Sequence, residues 1–213
     1  MNEESHRIGL RLNELLVGEG LDPLSPGTSE RFGDYCFLLI RWNARVNLTA
    51  IRDEENILSR HFVESIACAR ALPAGIDTLL DFGSGAGFPG IPISLCRPEI
   101  AVTLAESQGK KAAFLQEAVR MLGISATVHA GRAETLGTQF GCVTLRAVDR
   151  MPLAVEAAAK LVRPGGWLAL MTSGAEFPAL QGVAGGCFSW GKPNLLPGSE
   201  DRIIALAACK AMA

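Results

Sequence analysis

One ten-residue stretch constrains this chain of 213 residues more than any other: Asp81-Phe82-Gly83-Ser84-Gly85-Ala86-Gly87-Phe88-Pro89-Gly90. It follows a short apolar run, Thr78 to Phe82, and precedes a segment that reads as a helix. Glycines let the backbone turn tightly and come close to a ligand. A strand, a glycine loop and a helix in that order point to a parallel α/β sheet. The residues downstream repeat the alternation. Strands are predicted at Ile100–Ala105, Ala126–Ala130, Cys142–Leu145 and Trp167–Thr172, and helices at Lys110–Leu122 and Met151–Val162. Arg163-Pro164-Gly165-Gly166 is read as the turn that ends the second helix and leads into the next strand. Alternating strands and helices give a mostly parallel sheet with helices on both faces. After Gly174 the pattern loosens, and Cys187–Trp190 and Ile203–Ala208 are expected to close the sheet as an antiparallel pair.

Residues 1–72 lack this alternation and read as a helical cap. Ile8, Leu12, Leu15 and Leu16 have helical spacing within 5–20, as do Phe32, Tyr35, Cys36, Leu39 and Ile40 within 30–46. A third helix is expected over 54–71, with Ile57, Leu58, Phe62, Ile66 and Ala69 on its apolar face. Thr28 or Ser29 is the expected cap of the second helix and Asp53 of the third. Leu72-Pro73-Ala74-Gly75 marks a boundary, so 73–213 is read as the sheet domain, packed with the cap into one compact unit. Hydrophobic residues make up 48% of the chain and charged ones 20%, which is ordinary globular material. The net charge of −2 excludes a chain basic throughout, though not a local basic patch. No apolar run is long enough for a membrane span, and the opening MNEESHRIGL does not read as a signal peptide. The six cysteines are scattered, with no CxxC and no zinc-ligand spacing, so no metal site is expected. They read as buried, reduced thiols of a cytoplasmic protein.

Two ligand classes use such a loop. A dinucleotide site wants GxGxxG; counted from Gly83 the pattern fails at Phe88, and counted from Gly85 it is met by Gly85, Gly87 and Gly90 with Pro89 inside it. The alternative is GxGxG with an acid two positions before, here Asp81, which resembles the first motif of S-adenosylmethionine (AdoMet) methyltransferases. A carboxylate there suits a ligand with an ammonium group and would repel a pyrophosphate. Glu106, at the end of the second strand, can accept from both ribose hydroxyls in either class. Gly131-Arg132-Ala133-Glu134 follows the third strand and reads either as a frame for adenine or as a surface turn with a solvated ion pair. Arg146 ends the fourth strand, on the edge that faces the ligand crevice in open parallel sheets; the competing role is a structural salt bridge. His61 stands between a ligand contact and a packing residue. Arg41, Arg45, Arg52 and Arg60 read either as an extension of an RNA-binding surface or, as the interspersed Asp53, Glu54 and Glu55 favour, as a solvated helix face.

Taken in order, Asn47-Leu48-Thr49, Arg60-His61-Phe62 with Glu64-Ser65-Ile66, the loop continued through Ile91-Pro92, Lys110-Lys111 with Phe114-Leu115, and Arg146-Ala147 form a pattern. It resembles the glucose-inhibited division protein B family of bacterial 16S ribosomal RNA guanine-N7 methyltransferases, well over residues 40–175 and weakly as far as Arg202-Ile203-Ile204. The resemblance implies a Rossmann-like, seven-stranded AdoMet-dependent methyltransferase fold with an N-terminal helical extension. It implies transfer of methyl from AdoMet to N7 of the guanosine at position 527 in the 530 loop, leaving S-adenosylhomocysteine. Cofactor contacts carried over are Gly83, Gly85, Phe88, Glu106, Ala133 and Glu134, joined by Asp81, Ser84, Gly87 and Arg146. The carried-over catalytic residues are Arg146 and Arg132, and the substrate side is Lys110, Arg132, Arg202 and His61. The implied partner is 16S rRNA within the 30S subunit, met by a monomer. This chain departs from the family at Leu145, where serine is usual, at Met171-Thr172-Ser173-Gly174, where Lys-Gly is frequent, and at Glu64, where aspartate is frequent. The rival readings are a methyltransferase for another substrate, a nicotinamide-dependent dehydrogenase, and a non-catalytic RNA-binding assembly factor.

Overall fold

A computed structural model describes residues 3–211 of the chain. Two long helices open the chain, α1 (Glu3–Gly18) and α2 (Pro26–Asn43). They cross closely because glycine faces backbone on both sides. A Cβ at Gly33 would sit 1.9 Å from the Ser5 carbonyl oxygen, and one at Gly9 would sit 2.6 Å from that of Ser29. Helix α2 begins earlier than expected. Its cap is Ser25, whose Oγ accepts from the Thr28 amide at 3.3 Å, and not Thr28 or Ser29. Pro26 stands in the first turn, where a missing N–H is harmless and its fixed φ suits the helix. The third helix is interrupted: α3 (Glu54–Asn56) is capped by Asp53 as expected, a π-helical stretch covers Ile57–Val63, and α4 (Glu64–Ala71) completes it.

The sheet contains β1 (Thr78–Phe82), β2 (Ala101–Ala105), β3 (Ala126–His129), β4 (Phe140–Arg146), β5 (Val162–Ser173), β6 (Phe188–Trp190), β7 (Asn194–Leu195) and β8 (Arg202–Cys209). Seven strands form the path β3-β2-β1-β4-β5-β8-β6, and the short β7 pairs with β8. The first five strands in that order run parallel, and β8 is antiparallel to β5 and β6. The intervening helices are α5 (Gly90–Cys96), α6 (Gly109–Leu122), α7 (Met151–Ala159) and α8 (Phe177–Ala184). Pro164, Gly165 and Gly166, expected to precede β5, lie inside it. The strand accommodates them with a register shift against β4 and a positive φ at Gly165.

Alternate residues of the central strands feed two buried clusters, as the strand period requires. Leu79, Leu104, Cys142 and Ala169 pack with the N-terminal helices, α5 and α6, whereas Leu80, Val143, Leu145 and Leu168 pack with α7 and α8. The first cluster runs without a break from Ile8 and Phe32 to Phe114. Cys36, Cys68 and Cys142 are buried as expected, but Cys96 and Cys209 are half-buried and Cys187, just before the edge strand β6, is exposed.

Candidate active site

The carboxyl ends of β1, β2 and β4 open on a cleft of about 950 Å³. Gly83, Ser84, Gly85, Ala86 and Phe88 form its floor. Gly83 and Gly85 have φ of +71° and +57°, and a Cβ at Gly83 would sit 3.1 Å from a Val148 methyl. The bare loop backbone is thus kept close to the cleft.

Glu106 is 6% exposed and faces this space from the end of β2. Its Oε2 accepts from the Gly85 amide at 2.9 Å and its Oε1 from the Gln108 amide at 2.7 Å. Each oxygen retains a lone pair for a hydroxyl donor. Asp81, in contrast, is not on the cleft wall. Strand alternation turns it toward α5, where Oδ1 accepts from Thr144 Oγ1 at 2.9 Å and Oδ2 from the Gly90 amide at 3.2 Å. Burial pushes its carboxyl up to about 6, opposed by the Thr144 bond. The ligand contact expected of Asp81 is corrected to a support beneath the loop. Gly87 also faces away: a Cβ there would lie 2.5 Å from Ile91 Cδ1 and 2.8 Å from the Tyr35 hydroxyl.

The helical layer braces the loop. The buried Tyr35 hydroxyl donates to the Ala86 carbonyl, and its ring stacks on Phe62 at 5.1 Å. His61 stacks on Phe88 with ring centroids 4.7 Å apart and shares a 2.8 Å hydrogen bond between Nε2 and Thr49 Oγ1. Burial, then the charges of Arg146 and Arg60, pull the imidazole down to about 3, so it is neutral at pH 7. His61 does line the cleft. The upstream Leu48, Thr49 and Ile51 join it there.

Arg146 also reaches the cleft wall, but its guanidinium is held by the fold. It donates to Glu64 Oε2 at 2.7 Å, to Ser65 Oγ at 3.1 Å and to the carbonyls of Arg60 and His61. Those carbonyls belong to the π-helical stretch, where the ordinary helix bonding is displaced. Glu64 is 1% exposed and also accepts from Arg202 Nε at 2.7 Å. Arg146, expected as a catalytic residue and cofactor contact, thus lines the cleft while its guanidinium makes the structural salt bridge of the competing reading. Arg202 lines a separate small cavity with Arg60, Ser59 and Pro197. Lys110 is exposed and off the wall; its neighbour Lys111 lines the cleft. Arg132, Ala133 and Glu134 line it as a group, with Arg132 highly exposed and 3.4 Å from Glu134.

The residues missed by sequence reasoning are Tyr35 and Thr144, which look like ordinary core and strand residues, and the pairing of Glu64. An acid between the apolar-face residues Phe62 and Ile66 was the available signal for Glu64. Among the described residues no group of three or more His, Cys, Asp or Glu could hold a metal. None of their helices is long and apolar enough to cross a membrane.

The strand order, the glycine loop and the acid ending β2 together define the Rossmann-like fold of AdoMet-dependent methyltransferases. Solved structures agree. A SAM-dependent methyltransferase from Aquifex aeolicus superposes with a TM-score of 0.58 at 16% identity, over 72% of this chain and 93% of its own. TYW2 of P. horikoshii, solved with MeSAdo, gives 0.57 at 14% identity, over 71% of this chain and 63% of its own. Sequence comparison narrows the class to one family. The GidB family profile, described as rRNA small subunit methyltransferase G, matches residues 28–179. The ribosomal RNA small subunit methyltransferase G of Roseiflexus sp. (strain RS-1) is 39% identical over 194 residues, 84% of this chain and 82% of that protein. Its counterpart in Xanthomonas euvesicatoria pv. vesicatoria (strain 85-10) is 43% identical over 140 residues, 64% of this chain and 65% of that protein. The chain belongs to the rRNA small subunit methyltransferase G family.

Proposed function

We propose that this chain transfers a methyl group from AdoMet to N7 of a guanosine in the 530 loop of 16S rRNA, position 527. It acts as a cytoplasmic monomer on the 30S subunit. The observation that carries the reading is the cleft of a member of this family: a bare glycine loop braced from behind, with Glu106 beside it as a buried acceptor. The donor set fits the cofactor, since a carboxylate with spare lone pairs suits a ribose diol and the floor offers backbone without side chains.

When bound, AdoMet supplies an electrophilic sulfonium methyl. Guanine N7 brings an in-plane lone pair and no proton, so no general base is required. The work left to the protein is alignment and exclusion of water. Gly83, Ser84, Gly85 and Phe88 with Ala133 and Glu134 hold the cofactor, and Asp81 and Gly87 support the loop from behind. His61, being neutral, places no cation against the sulfonium. Arg132 faces the RNA, for which a looped target offers accessible base edges.

The test is transfer of labelled methyl from AdoMet to 30S subunits from cells lacking the modification, with the product mapped by mass spectrometry. The expected product is 7-methylguanosine in the 530 loop. AdoMet binding without incorporation there would overturn the substrate assignment and leave the cofactor assignment standing.

A further inference from the structure

After β4 the chain passes through Ala147, Val148, Asp149 and Arg150 before α7 starts. Ala147, at φ 49°, and Arg150, at φ 52° and ψ 53°, are the non-glycine residues in the left-handed region among those described. Elsewhere the chain fills that region with glycines, ten of them. A side chain there is disfavoured because Cβ crowds the backbone carbonyl. Strained positions of this kind concentrate at functional sites, and the inference runs from the strain to the function.

The Arg150 side chain is exposed and lines the cleft. Arg146 is committed to Glu64 and two carbonyls, and Arg132 lies beside Glu134. No described residue forms a hydrogen bond or ion pair with the Arg150 guanidinium. The neighbouring Asp149 is also exposed, and Leu153, one turn further, presents an apolar surface that is 60% exposed. The rim after β4 thus joins an uncommitted guanidinium fork to an apolar shelf.

We propose that Arg150 is a substrate-holding arginine of this cleft, gripping a phosphodiester of the RNA strand beside the target guanosine, whereas Arg146 is a positioning residue. The inference rests on the RNA reading above. A phosphate is the better partner than the base edge. A cation donating to N7 would compete for the lone pair that must attack, and a flipped base leaves its phosphates at the exposed rim. The guanidinium fork matches two phosphate oxygens. The left-handed turn fixes the direction in which the side chain leaves the wall.

Strain makes the test clean, because glycine suits this backbone better than arginine. Arg150→Gly is expected to leave the thermal midpoint unchanged or raised, and AdoMet affinity unchanged. Its KM for 30S subunits should rise about tenfold or more, and its dependence of log KM on log salt should flatten by about 0.7, the value for one single-strand phosphate contact. Arg150→Lys should restore most of the salt slope, and Arg150→Ala should lose it like glycine. An Arg150→Gly protein with wild-type KM and salt slope would overturn the proposal, as would one that has lost AdoMet binding. Wild-type protein that methylates no 30S subunit at all would overturn the RNA reading instead.

Discussion

On the floor of the cleft the polar groups are spoken for by the fold, while on the rim after β3 and β4 arginines stand at the surface. The glycine loop is held by the Tyr35 hydroxyl, by Glu106 and by Asp81 from below. Arg146 and Glu64 complete that side in near-total burial, at 13% and 1% exposure. Across the opening Arg132 is 77% exposed, with its partner acid barely within reach. The contrast separates two tasks. A small cofactor is served by a preorganised surface that loses nothing on binding, and a polyanion by charges that remain solvated until it arrives.

The comparison breaks most visibly if Glu64 can be neutralised harmlessly. Glu64→Gln leaves the buried Arg146 and the half-buried Arg202 beside a neutral amide, and chemical denaturation should show a loss of about 3–5 kcal/mol. Next comes acid sensitivity. The His61 imidazole titrates near 3 in the fold, against an ordinary value of 6.5. Its contribution is complete above pH 6.5 and is lost as pH falls toward 3, about 2 kcal/mol by pH 5. Asp81 works the other way: its raised carboxyl contributes most at the lowest pH and less as pH rises to about 6. His61→Gln isolates the histidine, and denaturation curves of the two proteins should draw together between pH 7 and pH 5; curves that stay parallel would contradict it. Tyr35→Phe removes one buried hydrogen bond and should cost about 1 kcal/mol. Because that bond holds Ala86, calorimetry should also find weaker AdoMet binding, by roughly fivefold or about 1 kcal/mol. Smallest in stability is Arg132→Ala, expected within about 0.5 kcal/mol of wild type. Its rRNA methylation should nonetheless fall, and unchanged methylation would remove Arg132 from the substrate side.

The floor was readable from sequence because a strand, a glycine loop and a helix are local patterns. Asp81 and Glu106 were found by position, yet only the pleat of β1 decides that Asp81 turns toward α5. Phe82 and Asp81 are adjacent residues that point to opposite faces. The role of Arg146 was hidden for another reason. Its partners Arg60, His61, Glu64 and Ser65 lie more than 80 residues earlier: the π-helical stretch offers the carbonyls of Arg60 and His61, and the first turn of α4 offers the Glu64 and Ser65 side chains. Nothing in the helical periodicity of 54–71 announces that turn. The left-handed Arg150 is equally silent, since glycine is the usual marker of such a position.

Tyr35 and Phe62 brace a loop that has not yet been synthesised when they emerge. The first 71 residues carry a wide apolar surface, including Phe32, Leu39, Phe62 and Ile66, whose cover is α5, α6 and one face of the sheet. A nascent chain therefore holds that surface open until the strands follow. The helical segment is not a part that could be trimmed, transplanted or folded ahead of the rest: its interior is finished by residues made later. Cutting at the Leu72–Gly75 boundary should yield two fragments that aggregate separately and regain a working floor only together.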